Sequence, residues 1–309
     1  MPFSLAPRLG FIGAGRLARC LALGFARAGY PVTAIASRRG DTARELATVL
    51  GACQAVEDPQ QVVEAADIVF LATPDDSIGT IANTLQFDGA IARGARKALV
   101  HCSGATGVDV LAGAAAQGVL TGCFHPLFLF SGAPADVDRI AGCSITIEAN
   151  AELAEALKTL ARSMSCHPLE IPAGQRMLYH GAAHYAASFA LCALFEAVQL
   201  WRTLGLTEED ALRALLPMLS GTIDTAREKG LANALAGPVS RGDAALLQKQ
   251  LACFEALGSD HAALYGLLTR RAVALARQRA HPPATIDAID RIVEDSLART
   301  LQVQAPSKP

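Results

Sequence analysis

Leu9-Gly10-Phe11-Ile12-Gly13-Ala14-Gly15-Arg16-Leu17-Ala18 reads as a strand, a glycine turn and the opening of a helix, in that order. The apolar run Leu9 to Ile12 suits a buried strand, and Leu17, Leu21 and Phe25 recur at helical spacing. Between them Gly13, Gly15 and Ala18 fill a G-x-G-x-x-G/A pattern. The first glycine permits a tight turn, the second lets a pyrophosphate approach the backbone, and the small third residue lets the helix pack close to its strand. Free N–H groups at the helix N-terminus then face the anion. A lone pattern of this kind says little, but a second strand, Val32 to Ala36, follows at βαβ spacing. The reading is a dinucleotide-binding unit, against the plainer alternative of a tight structural turn.

The end of the second strand chooses between dinucleotides. A site for NAD normally places Asp or Glu there to hold the ribose 2′-OH. This chain has Ser37, with Arg38 and Arg39 directly after it. A neutral donor and a guanidinium fork match a 2′-phosphate, which a carboxylate would repel. NADP(H) is therefore the expected cofactor. The alternative is an ordinary solvated turn carrying two arginines.

Length and composition bound the rest. A chain of 309 residues is too long for one modest core and suits two domains. With 51% hydrophobic and 18% charged residues it is globular, with a large buried fraction. A net charge of −2 gives no basic footprint for nucleic acid. The cysteines (Cys20, Cys53, Cys102, Cys123, Cys143, Cys166, Cys192 and Cys253) make no C-x-x-C pair and no Cys/His ligand cluster, so neither a metal site nor a disulfide framework is expected. Buried thiols in a reducing compartment are the expectation. Met1 to Pro7 is too short and uncharged for a signal peptide. Met177 to Phe195 holds no Lys, Arg, Asp or Glu but contains His180, Gly181, His184 and Ser188. That favours a helix buried inside a soluble, cytoplasmic protein over a membrane span.

From residue 8 to about 172 apolar strands alternate with helical stretches, the pattern of a doubly wound, mostly parallel sheet. Asp41 is the expected N-cap of a helix ending at Leu50. Asp67 to Thr73 is a buried strand that stops at Thr73-Pro74. Ligands of open α/β sheets lie off the carboxyl ends of the strands, which places Thr73, Pro74 and Asp75 against the cofactor. By the same rule Ser103, after the strand Ala98 to Cys102, faces the nicotinamide side. Val119 to Phe130 carries His125, whose backbone Pro126 keeps extended. Pro172-Ala173-Gly174 marks the domain boundary. Beyond it the pattern is helical, at about 175 to 204, 207 to 219, 219 to 234, 243 to 257, 259 to 279 and 284 to 303, with Thr207, Asp243 and Thr285 as N-caps. The expected organisation is a Rossmann-like domain over 1–172, an all-α domain over 173–303 and a disordered tail over 304–309.

The candidate cofactor contacts are Gly13, Gly15, Arg16, Leu17, Ser37, Arg38, Thr73, Pro74 and Ser103. Hydride transfer to C=O or C=N also needs a proton donor, and a histidine titrating near neutrality serves. His180, His184 and Ser188 are spaced by four and share one helical face. His180 is the candidate donor, with a core histidine bonded to backbone as the alternative; for His184 the structural role is favoured. A metal pair at this spacing lacks the glutamate of H-E-x-x-H and a third ligand. Gly237-Pro238-Val239-Ser240-Arg241-Gly242-Asp243 reads as a rigid loop opening a helix, from which Arg241 can bind a substrate carboxylate in bidentate fashion. Ser103 is expected to contact the cofactor carboxamide or the substrate, and His125 is read simply as an anchor of its strand end.

The glycine loop, Leu71-Ala72-Thr73-Pro74, His101-Cys102-Ser103-Gly104, Phe124-His125-Pro126, Tyr179-His180-Gly181-Ala182-Ala183 and the 237–243 segment occur in that order. Together they resemble bacterial proteins, labelled NADP oxidoreductases, that pair a Rossmann-like domain with a C-terminal helical domain of unknown function. The resemblance covers nearly the whole chain. More distantly the chain is similar to the superfamily of 6-phosphogluconate and 3-hydroxyisobutyrate dehydrogenases, pyrroline-5-carboxylate reductase and ketopantoate reductase. That resemblance implies a helical second domain that often builds a homodimer, with the active site between domains. Hydroxyacid members use a lysine on the first helix of the second domain. No lysine occurs between Lys158 and Lys229 here, so His180 is the nearest substitute by position. Members of the closer family often carry Asn where this chain has Ser188, and some are taken for ketopantoate reductases. The expected activity is reduction of a small carboxylate-bearing carbonyl or imine, 2-ketopantoate or a cyclic imine first. A non-catalytic NADP(H)-binding sensor or scaffold is the competitor.

Overall fold

Leu9–Ile12 forms β1, buried at all four positions, as a central strand covered on both faces must be. The computed structural model describes residues 6–92, 94–258 and 260–302; the expected tail at 304–309 lies outside the described residues. The further strands are β2 (Val32–Ala36), β3 (Gln54–Val56), β4 (Ile68–Leu71), β5 (Ala98–His101), β6 (Leu120–Pro126), β7 (Ser144–Ala149) and β8 (His167–Glu170). They make one sheet in the order β3-β2-β1-β4-β5-β6-β7-β8. β1 to β6 run parallel, β7 is antiparallel to β6, and β8 is parallel to β7. This is the expected doubly wound arrangement, reversed at its far edge.

The two-residue period of the strands divides the core. Leu9, Phe11, Ile68, Phe70, Ala98 and Val100 face one layer, and Ile12, Val69, Leu71 and Leu99 the other. The first layer is covered by α1 (Arg16–Arg27), α2 (Gly40–Leu50) and, further along the chain, by Leu153, Leu157 and Leu160. Phe11, Phe25, Phe70 and Phe124 stack there, with neighbouring ring centroids 5.2 to 6.4 Å apart. The second layer is covered by α3 (Pro59–Ala65) and α4 (Asp75–Thr84). Short helices α5 (Asp88–Ala92), α6 (Ala112–Ala116) and α7 (Asp136–Arg139) fill the connections, and α8 (Ala151–Ser163) carries the leucines just named. α2 begins at Gly40, so Asp41 lies in its first turn and is not the N-cap.

The chain divides into two compact units, Met1–Ala190 and Leu191–Pro309. Pro172-Ala173-Gly174 is a turn, but α9 (Arg176–Ala186), just beyond it, packs with the sheet unit through Arg176. The helix expected over 175–204 is broken at Ala187, where φ is −112° and ψ −86°, into α9 and α10 (Ser188–Thr203). Ser188 therefore opens a new helix and does not continue the face of His180 and His184. Nor is this stretch buried: Met177, Leu178, Tyr185, Leu191 and Phe195 are each more than 60% exposed. It is long and apolar enough to cross a membrane by length and composition. The expectation of a buried helix therefore fails: among the described residues nothing covers these side chains.

In the second unit α11 (Glu208–Ala234) replaces the two helices expected over 207–234, with Thr207 capping it and Gly230 interrupting it. Gly237–Arg241 is a short helix, α12, where a loop was expected; Gly242 ends it in the left-handed region. Asp243 caps α13 (Ala244–Leu257), and α14 (His261–Ala276) and α15 (Ile286–Gln302) complete the unit. Thr285 does not spend its hydroxyl on α15: Oγ1 donates to the Gly242 carbonyl at 2.6 Å. Val239, Leu247, Leu251, Val273, Ile289, Val293 and Leu297 form the core. Arg279 donates to the carbonyls of Ala232, Leu235 and Ser240, which ties the α11–α12 connection down.

Candidate functional site

Two features lie off the carboxyl ends of the parallel strands. The first is a cavity of about 940 Å³. Its floor is the glycine loop. Gly13 has φ +113°, and a Cβ there would fall 2.2 Å from the Ala72 carbonyl oxygen, so no other residue fits. Gly13 N–H donates to Ala36 O, and Ala72 N–H donates to Ile12 O, which stitches the ends of β1, β2 and β4 together. At Gly15, by contrast, an added Cβ would meet nothing within 4 Å. The first glycine is required by the protein's own backbone, whereas the second keeps a surface open at the N-terminus of α1.

Gly13, Gly15, Ser37, Arg38, Thr73 and Pro74, read from sequence as cofactor contacts, line this cavity. Arg16, Leu17 and Ser103 do not. The stem of Arg16 passes beside Gly132, and Leu17 packs on the core beneath α1. The Ser103 hydroxyl is spent within its own loop: it accepts from the N–H groups of Ala105 and Thr106 and donates to Thr106 Oγ1 at 2.9 Å. Asp75 is likewise outside the lining, and its neighbours Asp76, Ser77, Thr80 and Ile81 are inside it. Arg44 also lines the cavity, its guanidinium lying over Gly40. Counting one helical turn on from Gly40 would have found it. Arg39 turns away to Asp41 at 3.4 Å; among the described residues neither Arg38 nor Arg44 has a carboxylate within ion-pair distance. Thr73 Oγ1 is buried, with no hydrogen-bond partner among the described residues.

The second feature gathers His101, His125, Tyr179, His180 and His184 around the loop after β5. Gly104 is its floor: a Cβ there would lie 2.5 Å from His180 Nδ1 and 2.9 Å from His125 Nε2. His125 Nδ1 and Tyr179 Oη are 3.1 Å apart. The His180 and His184 rings are 5.1 Å apart, with their Nε2 atoms at 3.5 Å. Behind them Arg176, only 2% exposed, donates to the Ser103 carbonyl at 2.8 Å and faces Glu148 at 3.5 Å. Burial, then the Arg176 charge, then His180 pushes His125 down to about 4. Burial, then Arg176, then His125 does the same to His101. Both rings are neutral at physiological pH. His125, read from sequence as a strand anchor, thus belongs to the cluster; Pro126 was the only local signal for it. Among the described residues no group of three or more His, Cys, Asp or Glu could hold a metal ion. Arg241 is exposed in the second unit.

The domain patterns of known families match both halves of the chain. Residues 5–126 match the Rossmann-like domain, and residues 143–272 match a domain of unknown function, DUF2520. The fold is similar to that of the putative NADP oxidoreductase of Bacteroides fragilis, with 26% identity over 86% of this chain and 98% of that one and a TM-score of 0.62. It is also similar to a Thermotoga maritima protein, with 23% identity over 93% and 98% and a TM-score of 0.64. The pyrroline-5-carboxylate reductase of Coxiella burnetii shares the fold at 14% identity over 96% and 98%, TM-score 0.58. No curated protein matches the chain.

Proposed function

We propose that this protein is an NADP(H)-dependent oxidoreductase that reduces the C=O or C=N of a small, carboxylate-bearing metabolite. The observation that carries the reading is the cavity at the glycine loop with Arg38 and Arg44 beside it, neither spent on a carboxylate. The residues fit the cofactor: Gly15 leaves room for a pyrophosphate, Ser37, Arg38 and Arg44 suit a 2′-phosphate, and Thr73 offers a buried hydroxyl with no other partner. The name of the Bacteroides relative, an NADP oxidoreductase at 26% identity, supports the same class.

The bound nicotinamide supplies the hydride. His180 Nδ1, buried and without a partner, is the proton donor to the reduced group. Ser103 acts through the loop it closes, holding Gly104 beneath the histidines. Arg241 binds the substrate carboxylate. 2-Ketopantoate and cyclic imines such as pyrroline-5-carboxylate are the leading substrates. The exposed apolar side chains of α9 and α10 are covered by a second copy of the chain, which makes the active form a homodimer.

The test is calorimetric titration of the cofactor-free protein with NADPH and NADH, followed by NADPH oxidation with a panel of 2-oxo acids and cyclic imines. NADPH is expected to bind at least tenfold more tightly, about 1.4 kcal/mol. The same preparation is expected to sediment as a dimer. Binding of neither nucleotide would end the reading, and binding without turnover on any carbonyl or imine would leave a sensor.

A further inference from the structure

His125 is not needed by the mechanism above, yet its free ring nitrogen meets that of His180 over a residue with no side chain. The protons of the network behind it can be counted. Thr146 Oγ1 lies 3.1 Å from the His125 carbonyl and 3.3 Å from Tyr179 Oη, and Tyr179 Oη lies 3.1 Å from His125 Nδ1. A carbonyl only accepts, so Thr146 gives it its one proton. Tyr179 then gives its own proton to Thr146 Oγ1. Tyr179 Oη can therefore only accept from the ring, and the proton of His125 sits on Nδ1. In this assignment each of the three contacts has a proton of its own; a Thr146 hydroxyl shared between the carbonyl and Tyr179 Oη would instead free the Tyr179 proton for His125 Nδ1, and the tautomer of His125 tells the two apart. It leaves a lone pair on His125 Nε2, which burial and the Arg176 charge keep unprotonated.

His180 Nδ1 faces that lone pair across Gly104. Were it also a lone pair, two acceptors would oppose each other in a buried site. A proton on Nδ1 avoids this, and His180 Nε2 is then the acceptor for His184 Nε2–H at 3.5 Å. The notch so formed presents one acceptor and one donor, neither with a hydrogen-bond partner among the described residues.

We propose that His125 Nε2 and His180 Nδ1 together grip the reacting oxygen or nitrogen of the substrate over Gly104, which makes His125 a second catalytic residue and Tyr179 the residue that positions it. The proposal rests on the oxidoreductase reading. It also narrows the substrate group at this point. A hydroxyl donates to His125 Nε2 and accepts from His180 Nδ1, and an amine N–H does the same. A ketone oxygen has no proton to give, so it accepts from His180 Nδ1 alone, and His125 Nε2 takes up the hydroxyl once reduction has formed it. In the direction of reduction the proton that completes the hydroxyl leaves His180 Nδ1. His180 takes one at Nε2 from His184, which is exposed to solvent, and returns to its Nδ1–H form when the product leaves.

Two experiments on the full-length protein test this. Long-range proton–nitrogen NMR of the histidine-labelled chain reads tautomers with no substrate present. One histidine, assigned by its loss in His125→Asn, is expected to stay in the neutral Nδ1–H form from pH 5.5 to 8. Tyr179→Phe, which removes the acceptor for that proton, is expected to populate the Nε2–H form. A His125 found as Nε2–H in the wild type, or titrating near 6.5, overturns the assignment. The second experiment is turnover on whichever 2-oxo acid or cyclic imine the NADPH panel returns. His125→Asn keeps a group at Nδ1 and removes the acceptor at Nε2; its kcat is expected to fall at least 100-fold. His125→Gln, which can place an amide oxygen near Nε2, is expected to recover at least tenfold of that. Unimpaired turnover in His125→Asn would refute the notch and leave the oxidoreductase reading standing. Failure of the whole panel with the Nδ1–H form present would refute that reading, and the substrate contact with it.

Discussion

The nucleotide cavity and the histidine notch lie off neighbouring strands of one sheet and are made from opposite materials. The cavity is a backbone device. Gly13 is confined by the Ala72 carbonyl, Gly15 faces open space, and the side chains that complete the cavity, Arg38 and Arg44, are exposed. The notch is a side-chain device: five aromatic rings and a buried guanidinium brought from β5, β6 and α9. A device of the first kind tolerates loss of any single side chain. One of the second kind has buried polar groups that depend on each other, and it fails when one is removed.

The largest expected effect falls on the notch. Arg176 is the largest of the fully buried side chains, and Glu148 is its partner. Arg176→Met leaves that carboxylate facing an apolar side chain and is expected to cost about 3 to 5 kcal/mol. Urea unfolding reads the loss, and a double variant with Glu148→Leu is expected to restore part of it. NADPH affinity is expected to change less than threefold, because the cavity shares no contact with Arg176. An equal loss of nucleotide affinity would show that the two features are one coupled unit.

Acid provides the next probe, again selective for the notch. His101 and His125 sit near 4 in the folded chain, against about 6.5 unfolded. Below 6.5 the unfolded chain binds protons that these rings refuse, so stability falls as the pH falls and the loss is complete below about 4. Each ring contributes on the order of 3 kcal/mol to that loss. Unfolding free energies at pH 7, 5.5 and 4 measure it. His125→Asn is expected to flatten the curve by about half, and a wild-type curve that is level across this range would contradict the buried, neutral rings.

The same contrast explains what could be read from the sequence. The glycine spacing, the strand that follows it and Ser37-Arg38 are local, and each maps onto the cavity through rules of a few residues. Arg16 and Leu17 lie outside the lining for a local reason too: the Arg16 stem runs beside Gly132 and the Leu17 side chain packs on the core. The notch depends on His125 meeting Tyr179 across 54 residues and on Ser103 meeting Arg176 across 73. Periodicity carries no information at that range, so the reading of His125 as an anchor and of Ser103 as a ligand contact came without the Tyr179 contact of the one and the loop bonds of the other. The α9 and α10 helices misled for a different reason. Their composition reads as that of covered helices, whereas their apolar side chains are exposed in the single chain.

The smallest expected effect belongs to the cavity and separates its arginines. Arg38 and Arg44 line it, whereas Arg39 is turned toward Asp41. Replacing Arg38 or Arg44 with Gln removes one charge beside the proposed 2′-phosphate position and is expected to weaken NADPH about tenfold, or about 1.4 kcal/mol, while NADH binding stays within twofold. Because both side chains are exposed, stability should hardly change, in contrast to Arg176→Met. Arg39→Gln is the control, with the ratio of NADPH to NADH affinity unchanged. Loss of preference in Arg39→Gln but not in Arg44→Gln would move the phosphate site off α2 and onto the turn before it. It would also mean that Asp41 gives up Arg39 when the nucleotide arrives, which would make the cavity a rearranging site and remove the contrast with the prearranged notch.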